Sequence, residues 1–311
     1  MAHLIKLQDY VSRYEIDMKR YPSQFTRLKK ERWRQLERAW RQANSYSYQH
    51  EGESNEWFEE AEQGFIYQTI DRIKQFYGKR RQTVELQEEE DIYERLAGMS
   101  FDEVKARFKK ELVRSQIKWA SSSLSEESKV HPAYYYDNHL FYFLNQLPDN
   151  YMIMYNPSLE TRRATVDLDI LLIGPNEILC IVPVDGQETS VIEASSDRFW
   201  KEYVSGGQKK ILSPLLALNR LETVTHDLLT PYQLDLSFER IVFAPDVLID
   251  NRGRGMNVKM VDKRNCEAWM DKLKRQPSPL KTGQLKAAQV LLDHAVTTSF
   301  LRDTVERDAE L

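Results

Sequence analysis

Two almost unbroken apolar runs, residues 165–173 and 178–184, stand either side of Gly174-Pro175-Asn176-Glu177. A strand with one wet face alternates apolar and polar residues, whereas a run that is apolar at nearly every position must be covered on both faces. The intervening Gly, Pro and Asn supply turn chemistry, so the pair reads as a hairpin buried between layers. Around it the pattern predicts strands at 151–156 and 190–194, and a second pair, 241–249 and 256–261, around Asn251-Arg252-Gly253-Arg254-Gly255. Helical spacing predicts a short helix over 140–147 that stops at Pro148, a longer one over 198–221, and another over 267–275. A last helix carries Leu285, Ala288, Leu292 and Ala295 on one stripe and starts at Thr282 as a cap. Strands interspersed with helices make this part of the chain α/β.

Residues 13–119 are different in texture, with apolar residues returning every three or four positions. Trp33, Leu36 and Trp40 form one stripe, Ile66, Ile70, Ile73 and Tyr77 a second, and Phe101, Val104, Phe108 and Leu112 a third. Ser100 and Glu103 have the spacing of a capping box, which sets the start of the third helix. The small polar run Ser121 to Ser128, followed by Pro132, reads as a linker. The expected organisation is therefore an α-helical region over 1–123, an α/β domain over 124–262, and C-terminal helices over 263–311 packed on it. Tyr134, Tyr135 and Tyr136, just before the short helix, are assigned to packing rather than to base stacking.

Charge bounds the function. Lys and Arg number 44 against 48 Asp and Glu, so bulk charge does not suit a protein living on nucleic acid, and any such surface must be a local patch. The helical region is blocky: 13–42 holds ten basic residues and four acidic ones, while 51–62 and 85–94 each hold six acids and no base. Basic and acidic helices that pair or face water explain this most simply. A basic arm on phosphates is the competing reading, and steep salt dependence would mark it. Two cysteines, Cys180 and Cys266, form no disulfide framework, and MAHLIKLQDY lacks the layout of a secretion signal. No run reaches membrane-spanning length. The expectation is a cytoplasmic protein off the membrane, with the helical region docking a protein partner and self-association left open.

A Walker-type Gly-Lys-Ser/Thr loop, a GxGxxG after a strand, and His or Cys clusters at metal-ligand spacing are all missing from the sequence, so nothing in it demands a nucleotide cofactor. Gly206-Gly207-Gln208-Lys209-Lys210 reads as a solvated turn before an anion cradle. Arg252 and Arg254 are open between a hairpin tip and a phosphate contact. Asp169 is the conspicuous acid, because a carboxylate set in an apolar run needs a cation, a metal or several donors. Arg198, Lys201 or Lys209 would satisfy it without metal.

The stretch Thr165-Val-Asp-Leu-Asp169 through Ile178-Leu-Cys-Ile-Val182-Pro-Val184, preceded by a helix that begins near Asp137 and followed by Trp200 and Lys209-Lys-Ile-Leu-Ser213-Pro214, resembles the nuclease-related domain family over roughly 133–249. The resemblance implies a restriction-endonuclease-like core, a mixed sheet flanked by helices. It places Asp169 at the family's metal-binding Asp and Asp137 at its helical acid, and Asp167 points to the same face as Asp169, because alternate residues of a strand share a side. Where the family keeps Glu-x-Lys, this chain has Val182 and Val184, and where it keeps Asn and Gln, Ser213 and Ala217.

Mg²⁺ takes oxygen ligands, commonly one or two carboxylates, and uses them to activate water and polarise phosphate. Valine can do neither, and losing the lysine removes a stabiliser whose like is worth on the order of 10²-fold or more. Pro183 also removes a ladder donor. The reading is a degenerate nuclease: a non-catalytic binding or scaffolding component with no cofactor, able to hold DNA through Lys201, Lys209, Lys210, Arg252 and Arg254. The alternative is a Mg²⁺-dependent DNA endonuclease whose catalytic groups have moved, built from Asp137, Asp169, Glu193 and Lys201.

Overall fold

The computed structural model describes residues 1–44, 96, 98–187, 189–251, 257–276 and 278–298. Two compact units emerge, one made of 1–26 with 111–311 and the other of 27–110. The stripe Ile66, Ile70, Ile73 and Tyr77, both acidic blocks, Arg252 and Arg254 lie outside the described residues.

The smaller unit is built on aromatic packing. Helix α1 (Arg20–Ala43) and helix α2 (Phe101–Trp119) each contribute to it. Trp33, Leu36 and Trp40 are buried, as the stripe predicts, and so are Val104 and Phe108. The Trp33 ring lies 5.0 Å from Phe108, and Trp40 lies 5.0 Å from Phe101 while its Nε1–H donates to the Met99 carbonyl at 2.8 Å. The capping box forms: the Ser100 N–H donates to Glu103 Oε2 at 2.8 Å, and the Glu103 N–H donates to Ser100 Oγ at 3.3 Å.

The larger unit is α/β. Its central sheet has six strands in the order β1 (His3–Leu7), β2 (Met152–Tyr155), β5 (Ile170–Ile173), β6 (Glu177–Pro183), β10 (Ser237–Ala244) and β12 (Lys259–Asp262). The sheet is mixed: β1 with β2, β6 with β10 and β10 with β12 run parallel, while β2–β5 and β5–β6 are antiparallel. The β5–β6 hairpin is buried on both faces as its sequence requires. Leu171, Ile173, Ile178 and Cys180 pack to one side with helix α4 (Pro214–Leu229) and helix α6 (Thr282–Asp293). Ile170, Leu172, Leu179 and Ile181 pack to the other with helix α3 (Asn138–Gln146) and helix α5 (Cys266–Lys274). Strand alternation sorts the side chains, and helices cover both faces.

A second sheet lies in the same unit, in the order β11 (Leu248–Asn251), β7 (Val191–Ala194), β8 (Phe199–Val204) and β9 (Gly207–Leu212). This corrects the helix expected over 198–221: its first part is the antiparallel β8–β9 hairpin, and the helix begins only at Pro214. Gly206 turns the hairpin at φ +103°, a backbone region that favours glycine. The expected strand pair over 241–249 and 256–261 is also corrected. The β10 and β12 strands pair in parallel in the central sheet, whereas β11 joins β7 in the second.

Smaller corrections follow the same local physics. The run 165–173 breaks into β4 (Thr165–Asp167), which pairs with β3 (Ser158–Glu160), and β5. The α6 cap falls on Lys281, whose N–H donates to Gln284 Oε1, and Thr282 is the first helical residue. Strand β1 lies outside the helical reading of the N-terminal region. The Ser121–Ser128 run is folded in: its Ser128 hydroxyl accepts from the Val11 N–H at 3.1 Å, and Ser121, Ser122 and Ser128 are buried. Tyr134 packs against Tyr10 and Tyr155, whereas Tyr135 and Tyr136 are exposed rather than packed.

Candidate nuclease-like cleft

The register of the central hairpin pairs Ile170 with Ile181. Continued by one residue, it sets Asp169 across from Val182 on the face where Leu171 and Cys180 pack toward α4. Val182 is buried in that cluster, and Val184 and Ala217 pack against it. A cleft of about 370 Å³ opens at this end of β6, lined by Val182, Pro183, Val184, Asp185, Ile211, Leu212, Ser213, Pro214, Leu216, Ala217 and Arg220. The topology therefore brings Val182, Val184, Ser213 and Ala217 to one cleft, while Asp169, across from Val182 in register, is not among the residues that line it.

Asp169 is half-buried, and its carboxylate makes no hydrogen bond among the described residues. Burial pushes its pKa above the ordinary carboxylate value, and the Arg220 guanidinium opposes that. The nearby cation is thus Arg220 on α4, not Arg198, Lys201 or Lys209. The helical period could have shown it, since Arg220 stands three residues, about one turn, beyond Ala217. Ser213 precedes α4 in the cap position without a side-chain capping bond, and its buried hydroxyl has no partner.

The other acids have local duties. Asp137 caps α3, accepting from the Leu140 N–H at 2.9 Å, and also accepts from the Tyr155 hydroxyl at 2.8 Å. Asp167 accepts from the Ser158 hydroxyl at 2.5 Å on β4, and because the strand is interrupted at 168–169 it belongs to a different strand from the one Asp169 leads into, which corrects the shared face expected for the two acids. Glu193 lies on β7 in the second sheet, opposite Lys201 in register, and accepts from the Tyr203 hydroxyl at 2.6 Å. Lys201, Lys209 and Lys210 are exposed on β8 and β9 and do not line the cleft. His139 Nε2 lies 3.7 Å from Asp185 Oδ1 at the cleft mouth.

No group of three or more His, Cys, Asp or Glu side chains able to hold a metal ion occurs among the described residues. The cleft residues do not fit a magnesium site: Asp169 stands across from Val182, the Asp185 carboxylate that lines the cleft is exposed, and Arg220 acts on Asp169 electrostatically without an ion pair.

Residues 132–245 match the family model for the nuclease-related domain, so the resemblance read from the sequence holds over that stretch. The mixed sheet flanked by helices is the α/β architecture it implies. No curated protein matches the chain, and no solved structure does. No helix among the described residues is long and apolar enough to cross a membrane.

Proposed function

We propose that this protein is a non-catalytic nuclease-related component that binds nucleic acid and serves as a scaffold. The observation that carries the reading is the side chain across from Asp169. A second carboxylate there would complete a pair for Mg²⁺, and Val182 supplies none. Val184, two residues on, supplies no ammonium for charge growing on a phosphate.

A magnesium nuclease reassembled from Asp169, Glu193 and Lys201 finds no support in the geometry. Glu193 and Lys201 are cross-strand neighbours in the second sheet, and Glu193 is held by the Tyr203 hydroxyl. Affinity for nucleic acid is assigned instead to the exposed cations of the β8–β9 hairpin within a chain of net charge −4: Lys201 and Lys210, paired on one face, and Lys209, on the other side of the edge strand β9.

The patch sets a measurable slope. Three phosphate contacts give a plot of log affinity against log salt with a slope of about −3 on duplex DNA. In filter binding with Mg²⁺ present, DNA is expected to be retained at low salt, released along that slope, and recovered uncut. A Lys201→Gln, Lys210→Gln variant should lower the slope by about 2 units. An unchanged slope in that variant, or no retention at low salt, contradicts the proposal.

A further inference from the structure

The exposed face of the second sheet is more specific than a set of lysines. Along β8, Trp200 and Glu202 point into the protein and are buried, so Phe199, Lys201 and Tyr203 share the opposite, solvent side. Phe199 is 50% exposed and Tyr203 41%, although large aromatic rings ordinarily seek cover. The register extends the pattern onto β9: Leu212 lies opposite Phe199, Lys210 opposite Lys201, and Gln208 opposite Tyr203. An aromatic ring, a pair of ammoniums and a second aromatic ring thus follow one another along the hairpin. The Arg198 guanidinium adds a third cation, 5.8 Å from the Phe199 ring centroid.

We infer that this face binds single-stranded nucleic acid, with bases stacked on Phe199 and Tyr203 and phosphates on Lys201, Lys210 and Arg198. The inference rests on the nucleic-acid reading above and names its substrate class. Four strand residues put the two rings about 13 Å apart, too far to sandwich one base, so each takes a different base while the backbone between them passes the paired lysines. Stacking needs an unpaired base with a free face, which a duplex does not offer along its length. The acids of this face, Glu193 and Asp250, lie toward β7 and β11, and the Tyr203 hydroxyl donates to Glu193. The cationic strip therefore runs along β8 and β9, and the Tyr203 ring is 41% exposed with its hydroxyl turned toward Glu193.

Fluorescence anisotropy on the full chain tests this with four probes: a labelled oligothymidylate, an abasic strand of the same length, the matching duplex, and a polyglutamate peptide. The oligothymidylate is expected to bind tightest. A Phe199→Leu, Tyr203→Leu variant keeps apolar bulk on the strand but no π-face, and should weaken that binding on the order of tenfold or more per ring. Its binding of the abasic strand should barely change. Far-UV circular dichroism and the fluorescence of buried Trp200 report whether the variant stays folded. Equal affinity for oligothymidylate and abasic strand, or an unaffected leucine variant, overturns the stacking inference and leaves nucleic-acid binding in place. Polyglutamate bound as tightly as the oligonucleotide overturns it in favour of an acidic protein ligand. Failure of every nucleic acid to bind overturns both proposals.

Discussion

Replacing Trp200 by alanine is expected to lower stability by about 4 kcal/mol, the upper range for a large ring removed from a core. Trp200 is fully buried in the cluster that joins the second sheet to the central sheet and α4, and its Nε1–H donates to the Ser195 carbonyl at 2.7 Å. Alanine leaves a ring-sized void beneath β8 and removes the donor that ties the strand to the preceding turn. Phenylalanine should recover much of the loss, because it refills most of the volume and forfeits mainly one hydrogen bond, worth about 1 kcal/mol. Lys201→Gln, on the exposed side of the same strand, should stay within about 0.5 kcal/mol of the parent. Denaturant unfolding of the three variants checks the order. An alanine variant as stable as the glutamine variant would contradict the packing of β8 described above.

The second large effect is expected at Asp262. Its carboxylate is buried at the end of β12 and accepts from the Ile249 N–H at 3.1 Å, the Arg264 N–H at 3.0 Å and the Arg264 guanidinium at 2.5 Å. The same guanidinium donates to the Ile249 carbonyl at 2.8 Å. Since Ile249 belongs to β11 and Asp262 to β12, the cluster fastens the second sheet to the central one. Burial opposes ionisation of Asp262, but the Arg264 side chain and the two backbone donors outweigh it and hold the carboxyl below its ordinary pKa. The folded protein then releases this proton more readily than the unfolded chain. The stabilisation is complete above the unfolded value of about 3.9 and disappears as pH falls through the lower folded value. Asp262→Ala should cost about 2 kcal/mol near neutrality, because it strands the buried Ile249 N–H, while the largely exposed Arg264 guanidinium turns to water. The gap between variant and parent should narrow only in strong acid. Unfolding measured across the acid range tests this, and a gap that stays constant to the lowest pH contradicts it.

The sequence made the central hairpin legible because burial on both faces leaves apolar residues at every position, a pattern few alternatives share. The second sheet left a weaker trace. In β8 the buried position Glu202 is polar and the exposed positions Phe199 and Tyr203 are aromatic, so alternation by hydropathy is scrambled and the spacing imitates a helix. The Ser205-Gly206-Gly207 turn was the available signal for a hairpin. Strands β10, β11 and β12 were visible as apolar runs, but hydropathy does not say which sheet a run joins. The candidate site divides in the same way. The resemblance grouped Asp169, Val182, Val184, Ser213 and Ala217; the last four line one cleft, and Asp169 stands across from Val182 without lining it. Arg220 and the local duties of Asp137 and Asp167 depend on how helices and turns meet, which residue type alone does not carry.

The central proposal is that Val182 and Val184, where the nuclease-related family keeps a carboxylate and a lysine, leave this α/β core without metal-dependent cleavage chemistry. Supercoiled plasmid incubated with the full chain and Mg²⁺ or Mn²⁺, beside an Asp169→Ala variant, tests it most directly. The account predicts the same trace of nicking for both proteins, no greater with metal than with chelator. Metal-dependent conversion to nicked or linear DNA that the alanine variant abolishes would contradict it.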